Sequence, residues 1–133
     1  MEDKQAPTLN AEQFAFVNVM SAEALQQLIS NHIEQQPLKG TRGERDFPPV
    51  CKLFLPWTSG TWLLTELDPD DGLAFGLGDL GFGTPELGYI SLDEIYEITG
   101  PAGLKVEQDI HFTASKPLSQ YATEAREHGH IRA

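Results

Sequence analysis

The sequence predicts a single α+β domain, a mainly antiparallel β-sheet with about three helices packed against it. Three observations carry that expectation. Between residues 50 and 92, runs of strand length rich in β-branched and aromatic residues are separated by turn residues. Helical signals lie outside those runs, near 21–35, 91–98 and 117–128. The chain of 133 residues fits one domain with a real apolar core. That domain is read over residues 21–133, after an N-terminal arm at 1–20 that is partly disordered.

Taken in order, residues 1–10 are polar and expected to fray. Residues 11–20, AEQFAFVNVM, read as a short apolar helix or an extended arm. Ser21 is an N-cap for a helix to about Gln35, with Leu25, Leu28, Ile29, His32 and Ile33 on one face. From 36 to 49 the pattern dissolves into a long loop rich in Pro, Gly and charge, expected to be mobile or a contact element.

Val50–Leu55 and Thr61–Leu67 form a hairpin in this reading, turned by Thr58-Ser59-Gly60. Strict alternation puts Trp62, Leu64 and Glu66 on one face of the second strand. Both its faces carry apolar residues, which predicts a central strand. Asp68-Pro69-Asp70-Asp71-Gly72 is a turn by chemistry: Pro presets φ, Asp opens turns and Gly tolerates positive φ. Leu73–Leu80 and Glu86–Ile90 follow as strands, with Gly81 to Pro85 as the loop between them. The third strand has a small-residue face, Ala74, Gly76 and Gly78, that admits close packing. Ser91 and Glu94 make a capping box for a helix to about Ile98. Leu104–Phe112 reads as a last strand. A helix from Pro117 to His128 ends at Gly129.

Charge is the strongest compositional signal. The net charge is −11 and the pI about 4.6. Lys52 and Lys105 bracket nine acids with no Lys or Arg between them: Glu66, Asp68, Asp70, Asp71, Asp79, Glu86, Asp93, Glu94 and Glu97. Such a field repels phosphate backbones and anionic lipids and favours basic proteins or cations. No direct nucleic-acid or membrane partner is expected. The start, MEDKQAPTLNAEQ, has acids where a signal peptide has a basic region, so a cytoplasmic protein is expected.

No stretch carries a complete catalytic or cofactor motif. DPDDG lacks the alternating ligands and the twelfth-position Glu of a calcium loop. Gly76-x-Gly78-x-x-Gly81 precedes no helix and has no Lys-Ser/Thr, so the glycines read as strand and turn residues. Cys51, the one cysteine, reads as a buried structural residue rather than a partner of His111. His128 and His130 suit a helix end and a solvated tail. Trp62 and Tyr89 read as core. Neither metal nor cofactor is expected.

The stretches KLFLP, TWLLTELDPDD, AFGLGDLGFGTPELGYISLDEI, VEQDIHF and KPLSQYATEAREHGHI resemble an uncharacterised bacterial domain-of-unknown-function family carried on plasmids and mobile elements. The resemblance runs from about Val50 to Ile131. Members tend to begin near the first amphipathic helix. It implies a mobile-element setting, in which anti-restriction genes often lie nearby, and it brings no established activity.

Two functional expectations follow. The first is a non-catalytic acidic interaction protein. It binds the basic surface of a nucleic-acid-handling defence complex, such as a restriction or CRISPR effector subunit, in the manner of a DNA mimic. Its expected interface is Asp68, Asp70, Asp71, Asp79 and Glu86, with Trp57 and Phe82 as loop aromatic anchors. The alternative is a small carboxylate- or metal-dependent hydrolase using Glu66, Asp79 and Glu86. Convergence of those acids in a pocket separates the two.

Overall fold

Four consecutive strands form an antiparallel meander in the computed structural model of the chain, which describes residues 14–133. They are β1 (Cys51–Phe54), β2 (Thr61–Leu67), β3 (Leu73–Asp79) and β4 (Glu86–Ser91). A two-residue strand, β5 (Glu107–Gln108), pairs antiparallel with β1. The sheet order is β4-β3-β2-β1-β5, so β2 is central and β4 is an edge. Three helices complete the α+β fold: α1 (Ala22–Gln35), α2 (Leu92–Glu97) and α3 (Leu118–His128).

The apolar character of β2 on both faces has its reason in two cores. Trp62, Leu64 and Leu67 join Leu25, Leu28 and Ile29 of α1 and Leu92 and Ile95 of α2 on one side. Leu63 joins Leu77 and the α3 stripe Leu118, Tyr121, Ala122 and Ala125 on the other. Full burial of a Leu is worth about 2 kcal/mol, so a strand feeding both cores is held at the sheet centre.

Local signals do what their chemistry dictates. Ser21 Oγ accepts the Ala24 N–H at 3.1 Å and starts α1. Ser91 Oγ accepts the Glu94 N–H at 3.3 Å and starts α2, without a reciprocal bond from the Glu94 side chain. Gly129 takes φ 77° after α3, the left-handed conformation that ends a helix.

Two expectations need correction and two gain detail. First, β2 is not strictly alternating. Its register against β3 shifts between Leu64 and Glu66, leaving Thr65 as a bulge. Glu66 therefore pairs with Phe75 and leaves the face of Trp62 and Leu64. Second, the strand expected at Leu104–Phe112 shrinks to β5. A 3-10 turn at Pro101–Gly103, with Ala102 at φ 57°, precedes it. Asp109 then folds back, accepting the His111 N–H at 2.9 Å.

Third, the arm at 1–20 divides. Residues 1–13 lie outside the described residues. Phe14, Phe16 and Met20 are buried in the α1 core, so this end belongs to the domain. Fourth, the 36–49 loop is tied down along its second half. Buried Gln35 exchanges two hydrogen bonds with the Arg45 backbone, at 2.7 and 2.9 Å. Buried Phe47 accepts the Leu118 N–H at 3.0 Å through its carbonyl, and Asp46 binds the Ser119 hydroxyl. Pro and Gly punctuation signalled a loop correctly; the anchoring comes from α1 and α3, far away in sequence.

Candidate functional site

The expected interface residues do not form one face. Asp68, Asp70 and Asp71 sit in the β2–β3 turn, at one end of the sheet. Asp68 Oδ1 accepts the Asp70 N–H and Asp71 Oδ1 accepts the Leu73 N–H, both at 2.9 Å. These two carboxylates build the turn, Asp68 half-buried and Asp71 exposed; Asp70 is exposed, and its side chain has no partner among the described residues.

Asp79, Glu86 and Phe82 lie at the opposite end, around the β3–β4 loop. Asp79 is only 2% exposed. Its Oδ1 accepts the Gly81 N–H at 2.8 Å and its Oδ2 the Ile131 N–H at 3.0 Å. It locks the loop and the C-terminal segment to β3 and offers no carboxylate to a partner. Trp57 is half-buried against the α1 core, with its ring packed over Gly100, where a side chain would collide with it. It is a packing residue. Phe82 is 80% exposed, as an anchor must be.

The geometry around Phe82 defines a groove of about 420 Å³ beside β4. Trp62 and Gly78 line it together with β4 from Glu86 to Ser91. Leu80, Phe82 and Thr84 of the β3–β4 loop and Glu94, Ile95 and Ile98 from α2 onward complete it. Among the described residues the only charged ones lining it are Glu86 and Glu94. Among the described residues nothing stands within 4 Å of the position a Gly88 side chain would occupy, so they leave the groove open over the strand. Leu80 and Tyr89 are also exposed, Tyr89 at 61%, which corrects its reading as core. ELGYI is apolar enough to be covered, and only the sheet order reveals that among the described residues no strand lies beyond it in the sheet.

A second, smaller pocket of about 120 Å³ gathers Glu66, His32, Lys39, Asp68, Asp71 and Tyr89. The bulge at Thr65 aims Glu66 into it, and Thr65 Oγ1 donates to Glu66 Oε2 at 2.9 Å. Lys39 Nζ donates to the Tyr89 hydroxyl at 2.6 Å, which raises the Lys39 pKa. His32 Nε2 lies 3.7 Å from Asp68 Oδ2. Burial pushes the Glu66 carboxyl above the ordinary carboxylate range, against the Thr65 hydrogen bond and the Lys39 and His32 charges.

A carboxyl that holds its proton more tightly when folded stabilises the fold at low pH. That contribution is fully present below the ordinary value of 4.5 and is lost as pH rises through the folded value. Glu66→Gln keeps the oxygen that Thr65 bonds and removes the titration. The variant is therefore expected to be more stable than the parent at neutral pH and equal to it below the ordinary carboxylate value. Urea melts on either side of that value check this; a Gln variant less stable at neutral pH contradicts it.

The three acids of the hydrolase reading do not converge. Asp79 pairs opposite Thr61, while Glu66 pairs opposite Phe75, with Leu63 and Leu77 between them under α3. Glu86 lines the β4 groove with Trp62, whose neighbour Leu64 faces the α1 core, the face that Glu66 leaves. Among the described residues no group of three or more His, Cys, Asp or Glu is placed to hold a metal. Cys51 is buried, and burial pushes its thiol up to about 12, so it is no nucleophile. No helix among the described residues is long and apolar enough to cross a membrane.

Fold and site together define an acidic α+β domain with a carboxylate-rimmed groove along an outer strand. The chain belongs to the family described as "Protein of unknown function (DUF2958)", whose model matches residues 19–132. That match takes in α1 and the 36–49 loop as well as the stretch from Val50 onward. No curated protein and no solved structure matches the chain.

Proposed function

We propose that this chain is a non-catalytic interaction protein that holds a basic surface of a partner against the groove beside β4. The observation that carries the reading is the groove's composition: a largely apolar lining with exposed Phe82, and Glu86 and Glu94 as its only charges among the described residues. An aromatic anchor ringed by carboxylates suits a Lys- or Arg-bearing protein surface and repels nucleic acid. The net charge of −11 extends that preference over the whole molecule. Within that class we place the target among cytoplasmic complexes that handle nucleic acids, such as restriction or CRISPR effector subunits. Their Lys- and Arg-lined channels are where surface carboxylates substitute for phosphates. The mobile-element setting implied by the resemblance supports the same choice. The alternative hydrolase has Glu66 alone to work from, since Asp79 is committed to two backbone N–H groups and Glu86 lies elsewhere.

The test is affinity for a Lys/Arg-channel protein captured from bacterial extract, measured across a salt series. Affinity is expected to fall steeply with salt, because exposed pairs are screened over about 10 Å at 0.1 M. Asp70→Lys, Glu86→Lys and Glu94→Lys together are expected to weaken binding by up to ~100-fold, each being worth on the order of 1 kcal/mol or less. Phe82→Ala is expected to act through the off-rate, with an unchanged melting temperature. Asp68 and Asp71 are left intact because they hold the turn. Full binding by the triple variant, or affinity indifferent to salt, rejects the acidic reading.

A further inference from the structure

The backbone of β4 carries an unused binding feature. The Leu92 N–H donates to the Gly72 carbonyl at 3.3 Å, which continues the β3–β4 register. In an antiparallel ladder, hydrogen-bonded and non-hydrogen-bonded pairs alternate. Ile90, Gly88 and Glu86 are then the residues bonded to β3, and the N–H and C=O groups of Leu87 and Tyr89 point away from the sheet. Among the described residues no other strand pairs with β4, and those four backbone groups make no hydrogen bond. Natural edges of this kind are blunted by Pro, Lys or a bulge. β4, ELGYIS, has no Pro or Lys, and its register against β3 runs without a shift.

Resting on the interaction reading above, we propose that β4 accepts an added strand: an extended partner segment with Lys or Arg at one parity and apolar residues at the other. Alternate side chains of such a segment stand on opposite sides of the extended sheet. One set reaches the open groove over Gly88, beside exposed Phe82. Glu86 and Glu94, which line the groove, select the basic residues. A second copy of this chain is the weaker occupant, because it sets those carboxylates against their own kind on a molecule of charge −11.

The experiment is an array of ten-residue peptides with Lys or Arg at one parity and Val, Ile, Phe or Tyr at the other. The best binder is remade with its β4-facing amides N-methylated. N-methylation is expected to weaken binding at least ~10-fold, since it removes the ladder donors and leaves the charge intact. Bound peptide is expected to slow hydrogen exchange at the Leu87 and Tyr89 amides. Leu87→Pro is expected to weaken binding similarly. Its N–H points outward, so the β3 ladder keeps every bond, and circular dichroism checks the fold. If that variant fails to fold, the N-methylated peptide alone decides. Equal binding after N-methylation overturns strand addition and leaves charge-driven binding standing. So does an array without binders beside a captured basic protein that still binds. Self-association that already protects the Leu87 and Tyr89 amides overturns the proposal in favour of a second copy.

Discussion

Gly76→Ala is expected to destabilise the protein by upwards of about 3 kcal/mol, lowering the melting temperature by roughly 10 °C. A methyl group on Gly76 overlaps the carbonyl oxygen of Leu63, which lies on the neighbouring strand just before the bulge. That obstacle is backbone, so no rotamer change relieves it, and β2 and β3 must separate or slide. Gly88→Ala is the control. Gly88 is the cross-strand partner of Gly76, yet nothing stands within 4 Å of its added methyl. Its effect on stability is expected to stay within about 0.5 kcal/mol. Thermal melts of both variants decide this, and equal melting temperatures reject the close-approach account.

Asp79→Ala is expected to cost about 2–3 kcal/mol, because two backbone N–H groups, of Gly81 and Ile131, lose a charged acceptor. Asp79→Asn keeps one acceptor oxygen and is expected to cost roughly half as much. Hydrogen exchange separates the sites: the Gly81 and Ile131 amides are expected to lose protection first, while the α1 core retains it. A fully stable Asp79→Ala returns Asp79 to the pool of carboxylates free for a partner.

These two residues mark where local sequence stops being informative. Gly76 belongs to a small-residue face that the alternation of LAFGLGD makes visible, but the atom that forbids a side chain belongs to Leu63. Asp79 is one of nine acids in an interval without Lys or Arg, and nothing in its neighbours distinguishes it from Glu86. Its partner Ile131 is 52 residues away. Trp57 and Phe82 are both loop aromatics beside turn residues; the Trp57 ring packs on Gly100, on a distant segment, whereas Phe82 stays exposed.

Local chemistry along the chain made legible the fold class, the meander from β1 to β4, the helix starts at Ser21 and Ser91, the stop at Gly129 and the sign of the surface. Each of these depends on chemistry within a few residues: a side-chain oxygen three positions from an N–H, a two-residue alternation, a Gly that tolerates positive φ, a local sum of charges. Long-range packing was needed to show which acids are structural, that the bulge at Thr65 turns Glu66 toward Phe75, and that among the described residues β4 is the outer strand with two residues' backbone groups unpaired. Those outcomes depend on pairings and contacts between distant segments, where equivalent side chains compete for a few buried partners and the register of the whole sheet chooses among them.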